Sequence, residues 1–191
     1  DGARITGVET NTGLLQADEV LIAAGVGSAP LMSMLGFDLP MLHRPALVIK
    51  TAPLPKVLSH ILVSDAGEVR QLPCGALVMP AVVGHQSDDA SAVNDLEAET
   101  QTALARLQAL VPDIPLTLAE TMLAARPMPG DGLPAGGGVQ EGVYLATMHS
   151  GITLAAIMGE LIGDELLHGE TNHTRAWLAP YRPQRFTQTD T

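Results

Sequence analysis

Cysteine is almost missing from this chain of 191 residues, in which Cys74 is the only one. A lone cysteine forms neither an internal disulfide nor a thiolate metal cluster. The six histidines are scattered along the chain without the spacing of metal ligands, so we expect no metal site. This composition favours a reducing compartment, and we expect the protein in the cytoplasm.

Positive charge is also scarce. Ten lysines and arginines stand against 21 aspartates and glutamates, which gives a formal net charge of −11. Nucleic-acid binding needs clustered basic residues to replace counterions, so the charge argues against it. No apolar run reaches the length of a membrane span. Hydrophobic residues nevertheless make up 46% of the chain, enough for one sizeable core, or for one domain plus part of another.

A strand, a turn and a helix are predicted in the C-terminal third of the chain. Val143–Ala146 is a short apolar run typical of a buried strand. From Ile152 the apolar residues recur at helical spacing, and Gly169 ends the helix. The turn between them, residues 147–151, directs backbone N–H groups and the positive helix end at any group above the strand. Gly151 lets a ligand approach the main chain, and the alternative is an ordinary packing unit.

A second apolar strand is predicted far upstream, at Asp18–Ala24. Its apolar run is typical of a strand that is buried on both faces of a parallel sheet. Gly25 and Gly27 then give the backbone conformational freedom before a short helix predicted at Ala29–Leu35. These glycines serve either a ligand that approaches the main chain or the packing of the corner alone.

The middle of the chain, from Met41, predicts an α+β domain. An amphipathic helix at Asp95–Leu110 has Asn94 or Asp95 as its N-cap and Leu96 in its apolar stripe. Strands gathered around a helix, rather than alternating with helices, are typical of this class. The predicted strands are Ala46–Thr51, Leu58–Ser64, Glu68–Leu72, Ala76–Pro80 and Leu116–Ala125.

The N-terminal residues predict a hairpin. Arg4–Glu9 alternates like a strand, Asn11-Thr12-Gly13 forms the turn, and Leu14–Ala17 returns. Asp1-Gly2 is itself a hairpin signal, which implies a further strand before it. We therefore expect the chain to begin within a larger sheet, and residues 1–17 to offer a strand edge for self-association.

Arg126 is the charged residue with the clearest candidate role. It follows an apolar strand and precedes Pro127, so the strand ends there and the guanidinium needs a partner or water. A guanidinium matches a carboxylate through two parallel hydrogen bonds, so a carboxylate ligand is one candidate partner. The alternative is a pair with Asp131 or Glu141 that holds the local loop.

Three segments, in this order, resemble the later part of the FAD-dependent D-amino-acid oxidase superfamily. That family includes glycine oxidase, sarcosine oxidase and the bacterial D-amino-acid dehydrogenases. The segments are Ala17–Gly25, Arg126–Pro134 and Gly142–Gly169, and the resemblance extends over nearly the whole chain. The family's N-terminal strand–Gly-x-Gly-x-x-Gly–helix does not occur in this sequence. The second segment also departs from many relatives at Met128-Pro129-Gly130.

The resemblance implies a mixed α/β and α+β fold. It would combine the C-terminal parts of an FAD-binding Rossmann-like domain, lacking the dinucleotide-binding motif, with an antiparallel-sheet substrate domain. Residues 1–39 and 128–169 would belong to the FAD domain, and residues 40–127 to the substrate domain. The composition of residues 170–191, rich in Pro, Arg and Thr, separately predicts a surface tail held by Trp177.

The resemblance also assigns the candidate site. Ala24 and Gly25 would approach the FAD diphosphate through their main chain. Arg126 would bind the substrate carboxylate. His149 would either donate to flavin or substrate as a catalytic residue or fill the strand–helix corner. The residues that would face the flavin ring are Met148, His149, Ser150, Gly151, Ile152, Thr153 and Leu154.

The implied reaction is oxidation of the C–N bond of an amino acid or secondary amine, with hydride transfer to FAD. Under this hypothesis the chain is a C-terminal portion that needs a missing N-terminal half or a partner chain, and it acts on a small molecule. A second hypothesis is a non-catalytic subunit or truncated fragment that keeps the fold but does not bind FAD on its own. A third is a different flavoenzyme of related fold.

Overall fold

The computed structural model describes residues 4–65, 67–81, 93 and 95–187. The chain divides into two compact units, one made of Asp1–Leu42 with Pro127–Thr191 and the other of His43–Arg126. The first unit is therefore built from both ends of the chain and the second from its middle. The assignment of these units to flavin and substrate binding stays a prediction. Of the helices in the described ranges, none has the length and apolar character that crossing a membrane requires.

The secondary structure is numbered in chain order. The strands are β1 (Gly7–Thr10), β2 (Gly13–Gln16), β3 (Val20–Ile22), β4 (Met41–Leu42), β5 (Pro45–Thr51), β6 (Leu62–Ser64), β7 (Gly67–Gln71), β8 (Leu77–Pro80), β9 (Leu118–Ala125), β10 (Met128–Pro129), β11 (Ala135–Gln140) and β12 (Val143–Thr147). The α-helices are α1 (Ser28–Met34), α2 (Leu96–Leu110), α3 (Gly151–His168) and α4 (Asn172–Leu178). Short 3-10 turns lie at Gly25–Gly27, Ala179–Tyr181 and Pro183–Phe186.

The first unit is organised on a three-stranded sheet with β12 at its centre. β12 pairs antiparallel with β11 and parallel with β3, so that Tyr144 lies opposite Leu21. Val143 and Leu145, at alternate positions of β12, are fully buried. α3 packs beside this sheet through buried residues that recur at helical spacing, namely Met158, Leu161, Ile162 and Glu165. The predicted strand, turn and helix are therefore present in the predicted order.

The end of α3 follows the sequence prediction. Gly169 is the C-cap, its φ is 77°, and its N–H donates to the Glu165 carbonyl at 2.9 Å. Glycine adopts this left-handed backbone without the steric cost that a Cβ brings. The local sequence signal is sufficient here.

β3 is shorter and less buried than the sequence predicts. The expectation of a strand at Asp18–Ala24 that is buried on both faces is wrong, because β3 covers three residues and Leu21 is 44% exposed. Within the described chain β3 pairs with β12 alone and lies at the edge of its sheet. One flank of its apolar residues therefore has no described strand beside it.

The N-terminal hairpin forms, but its first strand begins later than predicted. β1 pairs antiparallel with β2, with Val8 opposite Leu15. The residues before β1 instead bind to Glu141, in the loop before β12. The Arg4 guanidinium donates to the Glu141 carboxylate at 3.0 Å, and the Ile5 N–H donates to the Glu141 carbonyl at 3.3 Å. The Asp1-Gly2 signal lies outside the described residues.

The second unit is an antiparallel sheet of strand order β6-β7-β8-β5-β9, with α2 packed against it. Along β5 every other residue is buried, as expected for a strand with one face on a core. Buried side chains of α2, at Thr100, Ala103 and Leu107, face this core. The sheet residues of the core are Leu47, Ile49, Val69, Leu77 and Met79.

Two local predictions in the second unit have opposite outcomes. The Asp95 carboxylate accepts the Ala98 N–H at 2.9 Å, which confirms Asp95 as an N-cap; Asn94 lies outside the described residues. Leu96, expected in the buried stripe, is exposed because it opens the helix. The strand predicted from Leu58 begins only at Leu62. The Leu58 N–H donates to the Gln71 side-chain oxygen at 3.0 Å and is therefore not used for strand pairing.

The C-terminal segment is held by residues other than the predicted one. Trp177 is 58% exposed, so the expectation that it anchors the segment is wrong, while Leu178 beside it is fully buried. A capping box between Thr171 and Thr174 starts α4, and the buried residues of this helix, Thr174 and Leu178, lie four positions apart on one face. Helical periodicity, and not side-chain size, therefore decides which residue is buried.

Candidate functional site

The candidate site is built where β12 ends and α3 begins. Thr147 is the last residue of β12, and Ser150 is the N-cap of α3. The Ser150 carbonyl accepts the Leu154 N–H at 2.9 Å, and the Ser150 side chain makes no capping hydrogen bond within the described structure. Because α3 spans 18 residues, its first turn presents backbone N–H groups together with the positive end of a helix dipole. This end of the helix favours an anionic or carbonyl-rich group.

The chain that follows β3 reaches the same place. Gly25 begins a 3-10 turn with φ +58°, a left-handed conformation that favours glycine. Its carbonyl accepts the Ser28 N–H, and it also accepts the Thr147 hydroxyl at 3.4 Å. The ends of the two parallel strands are thus joined through a side chain.

A cavity of about 370 Å³ lies at this junction. The ends of β3 and β12, Pro127 and one face of α3 line it, and none of its described lining residues is charged. The α3 face consists largely of small residues at four-residue spacing, namely Gly151, Ala155, Gly159 and Gly163. The cavity therefore combines an apolar wall with accessible main chain.

The structure brings some of the predicted FAD-binding residues to this cavity. Gly25, Met148 and Gly151 line it. The other predicted positions lie close in sequence but outside the lining: Ala24, His149, Ser150, Ile152, Thr153 and Leu154. Ile152 is 97% exposed, so it does not belong to the buried face of α3.

His149 lies in the turn itself and is half-buried. It takes part in an interaction with the rest of the protein. Its catalytic role stays a prediction, as does the alternative in which it fills the strand–helix corner.

Arg126 belongs to the other unit and ends it. Its backbone N–H donates to the Arg44 carbonyl at 2.9 Å, and its side-chain Nε points at the same oxygen from 3.4 Å. The side chain is half-buried, and its role in substrate binding stays a prediction.

The two acidic residues weighed as structural partners of Arg126 have partners of their own. Asp131 accepts the Arg185 Nε at 2.6 Å, and this hydrogen bond holds the pKa of Asp131 below its usual range. Glu141 pairs with Arg4 at 3.0 Å. The loop from Met128 is therefore held by the C-terminal segment.

Two residues of the site are missed by sequence reasoning. Thr147 lies in the predicted turn, but nothing in the sequence indicates that its hydroxyl meets a carbonyl 122 positions upstream. Pro127 follows Arg126 in the family-like motif, and its ring lies 3.7 Å from where a Cβ on Gly25 would be. A threonine at the end of a predicted strand is the only local signal for the first.

Comparison with known proteins identifies the class. The family model described as FAD dependent oxidoreductase, DAO, matches residues 1–165. This match covers most of the chain, so the chain belongs to the DAO family of FAD-dependent oxidoreductases. The resemblance found in the sequence is confirmed, and FAD is the cofactor of this family.

Curated relatives include two glycine oxidases. The enzyme of Pseudomonas putida is 28% identical over 189 residues, which cover 95% of this chain and 49% of the relative. The enzyme of Pseudomonas aeruginosa is 26% identical over 168 residues, which cover 86% of this chain and 46% of the relative. The chain thus spans about half the length of the curated relatives it matches.

Solved structures agree on the fold. L-proline dehydrogenase from P. horikoshii aligns with a TM-score of 0.75 at 19% identity, covering 96% of this chain and 51% of that chain. Glycine oxidase from Geobacillus kaustophilus aligns with a TM-score of 0.72 at 23% identity, and the alignment covers 95% of this chain and 50% of that chain. At these identities the likeness shows the fold alone, and it agrees with the mixed α/β architecture and antiparallel sheets described above.

The described residues fit one part of a flavin. A Cβ added at Gly151 would meet only the Met148 Cγ, at 4.0 Å, so the main chain there is open to a flat ligand. The first turn of α3 suits a carbonyl or anionic edge, and the apolar cavity wall suits an aromatic ring. The Gly-rich loop that cradles the diphosphate does not occur in this sequence.

Proposed function

We propose that this chain is the C-terminal portion of an FAD-dependent oxidoreductase that oxidises the C–N bond of an amino acid or secondary amine. The carrying observation is the family match over residues 1–165, together with an open glycine at the start of α3 beside an apolar cavity. FAD, when bound, would supply the acceptor for the hydride. Glycine oxidase activity in two curated relatives supports a small amino acid as substrate.

The protein's own contribution is binding and orientation. The first-turn N–H groups of α3 would stabilise negative charge at the edge of the flavin ring. Arg126 would bind the substrate carboxylate and so orient the C–N bond. His149 would donate a hydrogen bond to flavin or substrate. A cytoplasmic location and a small-molecule partner belong to the same proposal.

Gly151→Val tests this proposal in the complete protein that contains the chain. We expect FAD binding to weaken roughly ten- to a hundredfold, since an intruding side chain costs about 1–3 kcal/mol. The melting temperature of the apoprotein should stay nearly unchanged, because the added Cβ meets only the Met148 Cγ at 4.0 Å. Flavin content and apoprotein melting are measured on the same preparation.

Ala156→Val is the matched control for this experiment. Ala156 is exposed on α3 and does not line the cavity, so the same kind of enlargement should leave both flavin content and melting unchanged. Ser150→Ala changes the same turn without adding bulk, so it separates the effect of added volume from the effect of altering the turn. Normal flavin content in Gly151→Val, with a large loss of apoprotein stability, would mean that this turn is architecture only.

A second candidate function is a chain that keeps the fold but does not bind FAD by itself. The coverage of about half of each relative favours it, and so does the missing Gly-rich loop, because the ADP half of FAD then has no cradle. We expect residues 1–191 alone to lose FAD on dialysis. A flavin absorption spectrum that survives dialysis would contradict this expectation.

The N-terminal hairpin adds a proposal about association. β1 and β2 pair with each other in the described structure, and Leu14 and Leu15 are exposed on β2. Open strand edges with apolar side chains pair readily with other strands. We expect residues 1–191 alone to form dimers or larger species in sedimentation velocity, and a strictly monomeric boundary would count against this.

A further inference from the structure

Thr147 joins the two strand ends that form the candidate site. Its side chain is almost completely buried, and its hydroxyl donates to the Gly25 carbonyl at 3.4 Å. The same carbonyl accepts the Ser28 N–H, so both of its acceptor positions are used. A buried hydroxyl without an acceptor is costly, and this pairing is therefore favoured whenever the turn is folded.

Pro127 lies on a second side of Gly25. Gly25 has a left-handed φ of +58°, and a Cβ added to it would lie 3.7 Å from the Pro127 Cβ. The proline ring is rigid, so it forms a fixed wall on that side of the turn. The hydrogen bond from the Thr147 hydroxyl restrains the Gly25 carbonyl.

We propose that Thr147 is a positioning residue for the flavin, which rests on the function proposed above. It sets the spacing between the main chain at Gly25 and the main chain that runs from Met148 into α3. Both segments face the same cavity, and each is proposed to touch a different part of the cofactor. A bond that fixes their separation preorganises the site before the cofactor arrives.

The test compares Thr147→Val with Thr147→Ser in the complete FAD-loaded protein. Valine keeps the shape and removes the hydroxyl, whereas serine keeps the hydroxyl. We expect the FAD dissociation constant of Thr147→Val to rise roughly three- to tenfold, the scale of one lost hydrogen bond. The visible absorption bands of the bound flavin should also shift in Thr147→Val. Thr147→Ser should keep the FAD dissociation constant and the flavin spectrum of the wild type.

Thr51→Val is the matched control. The Thr51 hydroxyl is equally buried, donates to the Ala52 carbonyl at 2.8 Å and accepts the Leu77 N–H at 3.0 Å, but Thr51 does not line the cavity. We expect this variant to lower the melting temperature and leave the FAD dissociation constant and spectrum unchanged.

The outcomes separate this inference from the function on which it rests. If the wild-type complete protein does not bind FAD, the proposed function fails and this inference fails with it. If the wild type binds FAD and Thr147→Val binds it with unchanged affinity and spectrum, only the positioning role is overturned. Should Thr147→Val fail to fold, Thr147→Ser with wild-type melting but altered flavin affinity would also overturn the role of the hydroxyl.

Discussion

Arg182→Ala is expected to lower the stability of the protein by about 3–5 kcal/mol, roughly 10 °C in melting temperature. Arg182 donates through Nη1 to Glu165 at 2.7 Å and through Nη2 to its other oxygen at 2.5 Å. Glu165 is only 3% exposed. Removing the arginine leaves a buried carboxylate without its countercharge, which is the costly way to break such a pair.

Arg175→Ala is the matched control, because it removes an arginine from the same segment. Arg175 pairs with Glu170 at 2.6 Å, but both side chains are largely exposed to solvent. Exposed pairs contribute about 0–1 kcal/mol, so this variant should melt close to the wild type. If the two variants lose the same amount of melting temperature, the buried Glu165–Arg182 pair stabilises the protein no more than the exposed Glu170–Arg175 pair does.

The loss from Arg182→Ala should also depend on pH. Burial raises the pKa of Glu165, but the hydrogen bonds from Arg182 and Thr174 outweigh it and the pKa lies below its usual value. A lowered folded pKa stabilises the fold above the unfolded pKa of about 4.3, and this contribution is lost as the pH falls through the folded pKa. The difference in melting temperature between wild type and Arg182→Ala should therefore narrow below about pH 4.

On the function proposed above, Arg126→Ala is expected to raise the Michaelis constant of the complete protein for an amino-acid substrate roughly ten- to a hundredfold. The loss of a charge-assisted pair with the substrate carboxylate costs about 1.5–3 kcal/mol. Folding should be disturbed much less, because the 2.9 Å backbone hydrogen bond from Arg126 to the Arg44 carbonyl survives the substitution, whereas the side-chain bond to the same oxygen that is lost is long, at 3.4 Å. Steady-state kinetics and thermal melting, measured together, decide between the two roles.

An amine substrate without a carboxylate is the control for this prediction. Its Michaelis constant should change little in Arg126→Ala, since the lost guanidinium has nothing to bind on that molecule. Arg126→Lys keeps the charge but loses the two-pronged geometry, so it should recover only part of the affinity for the amino acid. Equal losses for both substrates would indicate a structural role for Arg126.

The site shows how far local sequence reaches. The strand at Val143, the helix that follows and the turn between them were predictable, because each depends on periodicity and a terminating glycine. Placing Gly25 beside this turn depended on the family resemblance. The part played by Thr147 was not predictable, since it depends on two strands that are distant in sequence becoming parallel neighbours.

The sequence by itself determined the elements whose signals are local. α2 begins at its Asp95 cap, and β5 alternates buried and half-buried residues along its length. α3 ends at Gly169, where the backbone turns left-handed. Capping, alternation and helical periodicity act within a few residues, so they hold whatever the rest of the chain does.

Only the tertiary structure decided β11. Ala135–Gln140 carries three consecutive glycines and no alternating apolar pattern, so the sequence predicts no strand there. A Cβ on Gly136 would lie 2.6 Å from the Met158 side chain, and one on Gly137 would collide with the Arg182 guanidinium. β11 forms by pairing with β12, and its glycines leave room for α3 and the C-terminal segment, which pack directly on their backbone. No local pattern records which distant side chains need that space.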